Sequence, residues 1–286
     1  MSRDDPRQGA DVRASASLDR RIEAFRARHP VRTAEIGGVS WSYRRCGTGG
    51  PWVLLLTGAL GQADFGFPVI EALARHASIL APDYPVLGDM EKLVAGLVGL
   101  LDREGAQRVH VVGGSFGGVV AQAFSRERPE RVASLVLSHS GAPCRTTGQG
   151  TAVAMLWLLP AALLRALMAK RLRPALRGAD PFWARAFERS LAALGRRDIL
   201  SRVALAAEFG RRYGGLAAPA PWPVLVLDSD DDPLFAEADR AALLALYRGA
   251  EHRRFRGTGH VTSLLEPEAF ASTIADFVRR AEEARR

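Results

Sequence analysis

The chain has 286 residues, a near-average apolar content of 48% and a formal net charge of +8. A chain of this length can bury a large core as a single domain with an insertion, so no second domain is required. The positive charge comes almost entirely from arginine, because Lys92 and Lys170 are the only lysines. No basic patch is interleaved with aromatic residues, so the composition predicts a globular protein that does not bind nucleic acid.

The N-terminal segment has no apolar stretch of the kind found in secretory signals. Residues 1–16 are polar and rich in arginine, which predicts a disordered lead-in and a cytoplasmic location. Ser17 is expected to cap a helix that ends at His29-Pro30. The apolar face of this helix would consist of Leu18, Ile22 and Phe25. The sequence thus assigns residues 1–30 to a lead-in and one helix.

Eight apolar runs predict strands, and helical patterns lie between most of the later ones. The runs are 31–36, 39–45, 53–57, 78–82, 109–113, 132–139, 224–228 and 253–255. Gly37-Gly38 predicts an antiparallel hairpin between the first two. The alternation implies a mostly parallel sheet that is covered on both faces, with its chemistry at the carboxyl ends of the strands.

A glycine-rich run follows the fifth predicted strand. Residues 109–118 are Val-His-Val-Val-Gly-Gly-Ser-Phe-Gly-Gly, so a β-branched strand leads to Ser115 between Gly113 and Gly117, and apolar residues at helical spacing follow. A Cβ at either glycine would crowd a tight turn that holds the serine in a strained backbone conformation. The pattern predicts a nucleophile elbow with Ser115 as the nucleophile.

A nucleophilic serine needs a histidine base and a carboxylate that orients it, in the chain order Ser, Asp, His. His260 fits this order, because it lies in the glycine-containing loop 257–260 just after the last predicted strand. His139 closes the sixth predicted strand and is a further candidate for the rim of the site. His260 is therefore the predicted base.

These segments resemble the α/β-hydrolases of the Ser-His-Asp type over roughly residues 31–278. The resemblance implies the α/β-hydrolase fold, an α/β architecture with a mostly parallel eight-stranded sheet, helices on both faces and a helical cap. Residues 53–61 are similar to the family's strand followed by His-Gly-x-x-Gly, with Thr57 in place of the usual histidine. By the same resemblance, the backbone N–H groups of Ala59 and Phe116 form an oxyanion hole. Leu60, in the same loop, is a candidate substrate contact.

Four aspartates follow the seventh predicted strand and compete for the role of the acid. In hydrolases of this fold the acid often precedes a short apolar pair that turns into the next helix, which favours Asp232, before Pro-Leu-Phe. Asp231 is the alternative. Asp228 and Asp230 are expected to cap the following helix, predicted at 237–247, or to form turns.

The strand pattern stops between His139 and Trp222 for about eighty residues, which is too long for a structureless loop. Residues 141–220 are therefore predicted to form a helical cap, inserted into a core made of 31–140 and 221–286. The apolar stretch at 152–169 is broken by Pro160 and interrupted by Arg165, so it does not predict a membrane span. Trp157 and Leu158 in this stretch are candidate substrate contacts, or else they pack the cap on the core.

Residues 157–161 and 190–195 resemble maspardin-like members of the family. Such members are associated with protein interactions and include chains without the catalytic histidine, whereas this sequence retains His260. The predicted function is a serine hydrolase acting on a small or medium apolar carboxylic ester. Lactones, thioesters and carbon–carbon cleavage substrates remain open, and a non-catalytic interaction protein is the alternative.

The predicted chemistry needs neither a metal nor an organic cofactor. Cys46 and Cys144 are too few and too far apart for a zinc site or a disulfide framework. The expected partner is a small ester-like molecule, and the sequence leaves the oligomeric state open.

Overall fold

An eight-stranded sheet forms the centre of the molecule in the computed structural model, which describes residues 6–145, 149–218 and 220–285. The strands are β1 (Arg32–Ile36), β2 (Val39–Cys46), β3 (Trp52–Leu56), β4 (Ser78–Pro82), β5 (Val109–Gly114), β6 (Val132–Ser138), β7 (Val224–Ser229) and β8 (Glu251–Phe255). Their order in the sheet is β1-β2-β4-β3-β5-β6-β7-β8. Only the β1–β2 and β2–β4 pairs are antiparallel; the other five pairs are parallel. The predicted mostly parallel eight-stranded sheet is confirmed.

The hairpin between β1 and β2 turns at Gly37 and Gly38, as the sequence predicts. Both residues have positive φ, 58° and 76°. A two-residue turn with two left-handed residues matches the twist of an antiparallel pair, and glycine adopts this conformation without strain. The register pairs Ile36 with Val39 directly across the turn.

Helices cover both faces of the sheet. They are α1 (Pro6–Arg28), α2 (Phe67–Leu73), α3 (Met90–Arg103), α4 (Phe116–Glu127), α5 (Gln149–Leu156), α6 (Ala161–Leu172), α7 (Pro181–Ala193), α8 (Arg196–Tyr213), α9 (Glu237–Leu246), α10 (Thr262–Leu265) and α11 (Pro267–Glu283). Side chains of α3, α4, α8 and α9 share one apolar cluster with the sheet. Side chains of α1, α2, α7 and α11 share a second cluster on the other face. Two buried layers therefore enclose the parallel strands.

The N-terminal helix is longer than the sequence predicts. It begins at Pro6 rather than after Ser17, so Ser17 lies within the helix and the expected disorder of residues 6–16 is wrong. Alanine and arginine favour helix, and proline is tolerated in the first turn, so this segment continues the helix instead of preceding it. Ile22 and Phe25 are buried on the predicted face of the helix. Residues 1–5 lie outside the described part of the chain.

The chain between β6 and β7 contains α5, α6, α7 and α8. Pro160 separates α5 from α6, where it precedes the first residue of α6 in an extended conformation. Helices α6, α7 and α8 share a third apolar cluster, which includes Leu60 from the loop after β3. Within the described residues, no helix has the length and apolar character needed to cross a bilayer.

Candidate active site

Ser115 lies between the end of β5 and the start of α4. Its φ of 53° and ψ of −119° are unfavourable for a residue with a side chain, at a cost of about 1–3 kcal/mol. The Ser115 N–H donates to the carbonyl oxygen of Ser138 at the end of β6 (2.9 Å). The Ser140 hydroxyl donates to the Ser115 carbonyl oxygen (3.0 Å). These bonds hold the strained turn in place.

The glycines around Ser115 allow α4 to approach the sheet closely. A Cβ on Gly117 would collide with the carbonyl oxygen of Leu56 and lie 2.6 Å from that of Thr57. A Cβ on Gly113 would lie 2.7 Å from the Ala121 side chain. No real Cβ makes contacts this short, so both positions require glycine because of close packing.

His260 and Asp232 come from loops that follow neighbouring strands, β8 and β7. Nδ1 of His260 lies 2.9 Å from Oδ2 and 3.1 Å from Oδ1 of Asp232. The Asp232 Oδ1 atom also accepts from the backbone N–H groups of Leu234 (2.8 Å) and Phe235 (3.3 Å). The Phe235 ring stacks on the His260 ring, with centroids 5.7 Å apart. Because Nδ1 faces the carboxylate, Nε2 is the His260 nitrogen left for a reacting group.

A second histidine bonds to the same carboxylate. His139, which directly follows β6, has a φ of 47° and is 5% exposed. Its Nδ1 lies 3.0 Å from Asp232 Oδ2, and its Nε2 lies 2.8 Å from Thr262 Oγ1. The His139 and His260 rings meet edge to face with centroids 5.4 Å apart. The sequence suggested His139 only for the rim of the site, and it gave no sign of Thr262.

Burial and hydrogen bonding determine the protonation states of Asp232 and His139. Burial alone would raise the pKa of the Asp232 carboxyl, but hydrogen bonds from His139 and His260 outweigh it and hold that pKa well below its usual value. Burial lowers the pKa of His139, so its ring is neutral near pH 7. An ionised carboxylate only accepts hydrogen bonds, so the proton is on Nδ1 of each ring.

The loop after β3 approaches Ser115 from the other side. A Cβ on Gly58 would lie 3.8 Å from the Ser115 Cβ. A hydrogen bond from the Gly61 N–H to the Gly58 carbonyl oxygen (2.9 Å) closes the loop. The Tyr84 hydroxyl donates to the Thr57 carbonyl oxygen (2.9 Å). Thr57 therefore fits where the family usually has histidine, and the loop is held by other groups.

The two residues predicted to supply the oxyanion hole, Ala59 and Phe116, lie on either side of the Ser115 turn, in the loop after β3 and at the start of α4. Ala59 lines the same cavity as Ser115. Phe116 is the first residue of α4, so its N–H has no acceptor within the helix. The Oγ1 of Thr57 is buried without a hydrogen-bond partner among the described atoms.

A cavity of about 180 Å³ lies against Ser115 and His260. Its walls are mostly apolar and come from the strand ends, from the loop after β3 and from the helices between β6 and β7. The larger apolar lining residues are Leu55, Leu56, Leu60, Phe65, Val69, Val112, Leu172, Leu176, Phe187, Val261, Leu264 and Phe270. The described lining contains no lysine, arginine, aspartate or glutamate. The cavity is therefore suited to a small uncharged group.

Some predicted site residues lie elsewhere. Trp157 and Leu158 are 48% and 84% exposed and are not among the cavity's lining residues, because the turn between α5 and α6 points them outward. Asp231 accepts from the Ser229 hydroxyl (2.6 Å) and the Gly259 N–H (2.8 Å) rather than from an imidazole.

The remaining two aspartates of the cluster do not cap the helix after β7. Asp228 is buried and accepts from His252 (3.0 Å) and Arg254 (3.0 Å) on β8. Asp230 accepts from the Gly257 N–H (2.9 Å). Asp228 therefore joins strands β7 and β8, Asp230 joins the loops that follow them, and Ala236 is the residue that precedes α9.

His139, Asp232 and His260 could also be considered as a metal site, since their potential ligand atoms lie within 4.8 Å of one another. Histidine binds a metal through an unprotonated nitrogen. Both Nδ1 atoms here donate to Asp232, so a metal would have to displace two protons and two hydrogen bonds. The arrangement fits a proton-transfer site better.

Comparison with known proteins identifies the family and the fold. Residues 47–273 match the model of the alpha/beta hydrolase family. Human maspardin is 27% identical over 214 residues, which cover 73% of this chain and 68% of that protein. The 2-hydroxy-6-oxononadienedioate/2-hydroxy-6-oxononatrienedioate hydrolase of Paraburkholderia xenovorans is 29% identical over 271 residues, covering 85% and 91%. A crystal structure of a hydrolase from Pseudomonas aeruginosa has a TM-score of 0.75 at 21% identity, covering 87% and 98%. The chain belongs to the alpha/beta hydrolase family.

Proposed function

We propose that the protein is a serine hydrolase that cleaves a small, apolar carboxylic ester. Ser115 Oγ attacks the ester carbonyl carbon while His260 Nε2 takes its proton, and Asp232 stabilises the imidazolium. The proton then passes to the leaving alkoxide oxygen. Water, activated by the same histidine, releases the acid from Ser115. The observation that carries the proposal is the strained Ser115 in a cavity that His260 also lines, with Asp232 behind the imidazole.

In this mechanism the N–H groups of Ala59 and Phe116 donate to the oxyanion that forms on the carbonyl oxygen. Loss of one such donor costs about 10²–10³-fold in rate in enzymes of this kind. Both groups belong to the main chain, so threonine at position 57 leaves them in place. The N-terminus of α4 adds a partial positive charge at the same point.

The cavity favours an uncharged acyl group. A substrate carboxylate would lose its hydration there without gaining a cationic partner, which is strongly unfavourable. The Paraburkholderia relative is named for a dienedioate substrate, and the described cavity lining offers no arginine or lysine for such an acid. An ester with a short alkyl chain is the better match for about 180 Å³.

We infer that α5–α8 act as a cap over this cavity, because they contribute Leu172, Ala175, Leu176 and Phe187 to its lining. These residues would then determine which acyl chain lengths the cavity accepts. Leu176→Ala should raise the ratio of kcat/KM for p-nitrophenyl octanoate to that for the acetate by about tenfold, since apolar contacts discriminate by about 1–3 kcal/mol. Trp157→Ala is the matched control and should leave that ratio unchanged.

Activity itself is tested with purified protein and p-nitrophenyl acetate, butyrate and octanoate. Ser115→Ala should lower kcat/KM by several orders of magnitude while the protein stays folded, because the triad acts as a unit. A fluorophosphonate probe should label the wild type at Ser115 and leave this variant unlabelled. Wild-type-like turnover in Ser115→Ala would refute the proposal.

The identity with maspardin keeps an interaction protein as the alternative. On that reading, the fold serves as a binding scaffold and no serine is activated. Absence of both ester hydrolysis and fluorophosphonate labelling in the folded protein would favour the scaffold.

A further inference from the structure

We propose that His139 is a positioning residue for the His260 base and acts through the carboxylate that the two histidines share. This inference rests on the proposed function, because it assigns His260 the role of base. No step of the proposed reaction uses His139, yet its side chain is almost completely buried beside the reacting groups.

The hydrogen bonds around His139 allow only one arrangement of protons. Nδ1 donates to the ionised Asp232 (3.0 Å), so Nε2 of the neutral ring must accept, and the Thr262 hydroxyl donates to it (2.8 Å). The Thr258 hydroxyl lies 2.6 Å from that of Thr262 and supplies the next donor in the chain. This chain of hydroxyls holds the His139 ring in its Nδ1–H tautomer.

The backbone supports the same conclusion. His139 has a φ of 47°, a left-handed conformation that is uncommon for a residue with a side chain. Its N–H donates to the carbonyl oxygen of Leu227 on β7 (2.9 Å). The turn therefore directs the ring toward the β7 loop, where Asp232 lies.

Sharing Asp232 has a defined effect on the base. The His139 N–H stabilises the negative charge of Asp232 Oδ2, the same oxygen that faces His260 Nδ1 at 2.9 Å. A carboxylate that already accepts this bond attracts the His260 imidazolium less strongly. In the proposed reaction, loss of the His139 N–H therefore strengthens the attraction between Asp232 and the imidazolium, so that activity is lost at a higher pH. His139 itself keeps its single proton throughout the reaction.

Among the described residues, the other charged groups near the pair form no hydrogen bond with the His139 side chain. Asp228 and Arg240 lie behind His139, around a small internal cavity, and are 3.9 Å apart. Arg254 from β8 bonds to Asp228 (3.0 Å). Asp231, next to Asp232, is exposed. A shift seen on substitution of His139 therefore reports the lost bond to Asp232.

Two substitutions distinguish the role of the His139 N–H donor from the role of the space that its ring fills. In His139→Asn the amide nitrogen is attached to Cγ, as Nδ1 is, so a donor to Asp232 remains, and asparagine tolerates positive φ. His139→Leu fills the space and has no donor. If the leucine variant does not fold, His139→Gly replaces it, because glycine adopts φ near 47° without strain.

The first measurement is the dependence of kcat/KM on pH for a chromogenic ester. The leucine variant should show its acid limb at a pH about half to one unit higher than the wild type, so that activity falls more at pH 6 than at pH 8. The asparagine variant should keep the wild-type midpoint. A uniform loss at all pH values, with the midpoint unchanged in the leucine or glycine variant, would overturn the proposal, because a purely structural role gives that result.

The second measurement does not need an active enzyme. The wild type should show low-field proton resonances from the Nδ1–H groups of both His139 and His260, and the leucine or glycine variant should lack the one from His139. The remaining His260 Nδ1–H resonance should move to lower field in that variant, because Asp232 then accepts only one imidazole N–H. An unchanged His260 resonance in the variant would refute the role of His139 even if esterase activity is absent, whereas the failure of the proposed function would appear only in the activity and labelling assays.

Discussion

Replacing Asp232 by asparagine should disable the His260 base while changing the side chain very little in size. Asp232 accepts four hydrogen bonds, two from imidazole Nδ1 atoms and two from the backbone N–H groups of Leu234 and Phe235. The backbone N–H groups of Leu234 and Phe235 can only donate, so the asparagine oxygen should lie where it accepts their hydrogen bonds. The amide NH₂ group then faces both imidazoles.

The replacement of an acceptor by a donor opposite Nδ1 determines how far the rate falls. A donor opposite Nδ1 stabilises the tautomer of His260 that carries its proton on Nε2, and that nitrogen can no longer accept the Ser115 proton. The same change in other serine hydrolases lowers the rate by about 10³–10⁴-fold, which corresponds to about 4–5.5 kcal/mol of lost transition-state stabilisation. The loss should appear as a lower kcat more than as a higher KM, because the cavity walls are unchanged.

Asp231→Asn is the matched control. Asp231 is exposed and accepts from Ser229 and Gly259, and an asparagine oxygen can accept the same bonds. We expect a loss of less than about threefold, within the usual effect of a surface substitution. Both variants should be assayed with p-nitrophenyl butyrate at pH 8, with circular dichroism to verify the fold. A larger loss in Asp231→Asn than in Asp232→Asn would refute the assignment of the acid.

Three further predictions concern other parts of the molecule. Gly117→Ala should prevent folding because of the collision with β3, whereas Gly114→Ala, whose Cβ would have its nearest neighbour 4.0 Å away, should give soluble protein; equal yields would contradict this packing. Burial lowers the pKa of His110 to about 4, so the unfolded state binds a proton that the folded state does not as the pH falls below 6.5. The melting temperature should fall over this range, and His110→Asn should reduce the fall by about 3 °C or more. Burial raises the pKa of the Cys46 thiol to about 12, so iodoacetamide at pH 8 should label exposed Cys144 and leave Cys46 unmodified; labelling of both in folded protein would contradict it.

The eight strands, and the position of Ser115, Asp232 and His260 after the carboxyl ends of three of them, follow from local patterns in the sequence. Each of the eight predicted strands is present within two residues of its expected bounds, because β-branched and leucine-rich runs between turns carry a strong local signal. The crowded turn at Ser115 is predicted by the spacing of Gly113 and Gly117, whereas the approach of Gly117 to Leu56 on β3 appears only in the structure. These features depend on residues near each other in the chain.

The features that the sequence did not reveal depend on distant contacts. His139 and Thr262 are 123 positions apart, and no local pattern shows that their side chains meet or that His139 reaches Asp232. The large apolar side chain of Trp157 favours a substrate contact, but the turn after α5 directs it outward. The first turns of α1 lie outside the predicted helix for a different reason, because this polar segment gives no local amphipathic signal.

The packing of α1 and the first hairpin also shows that the folded unit begins well before the region that matches the family. The family match begins at residue 47, after β2 ends. A chain trimmed to the matched residues would lose Phe25, which is fully buried and lies 5.8 Å from the Phe67 ring. It would also remove β2, so that β4, whose five residues are all buried, would pair only with β3 and become an edge strand open to aggregation. Truncation from the N-terminus should therefore stop before α1, well outside the region that family comparison identifies.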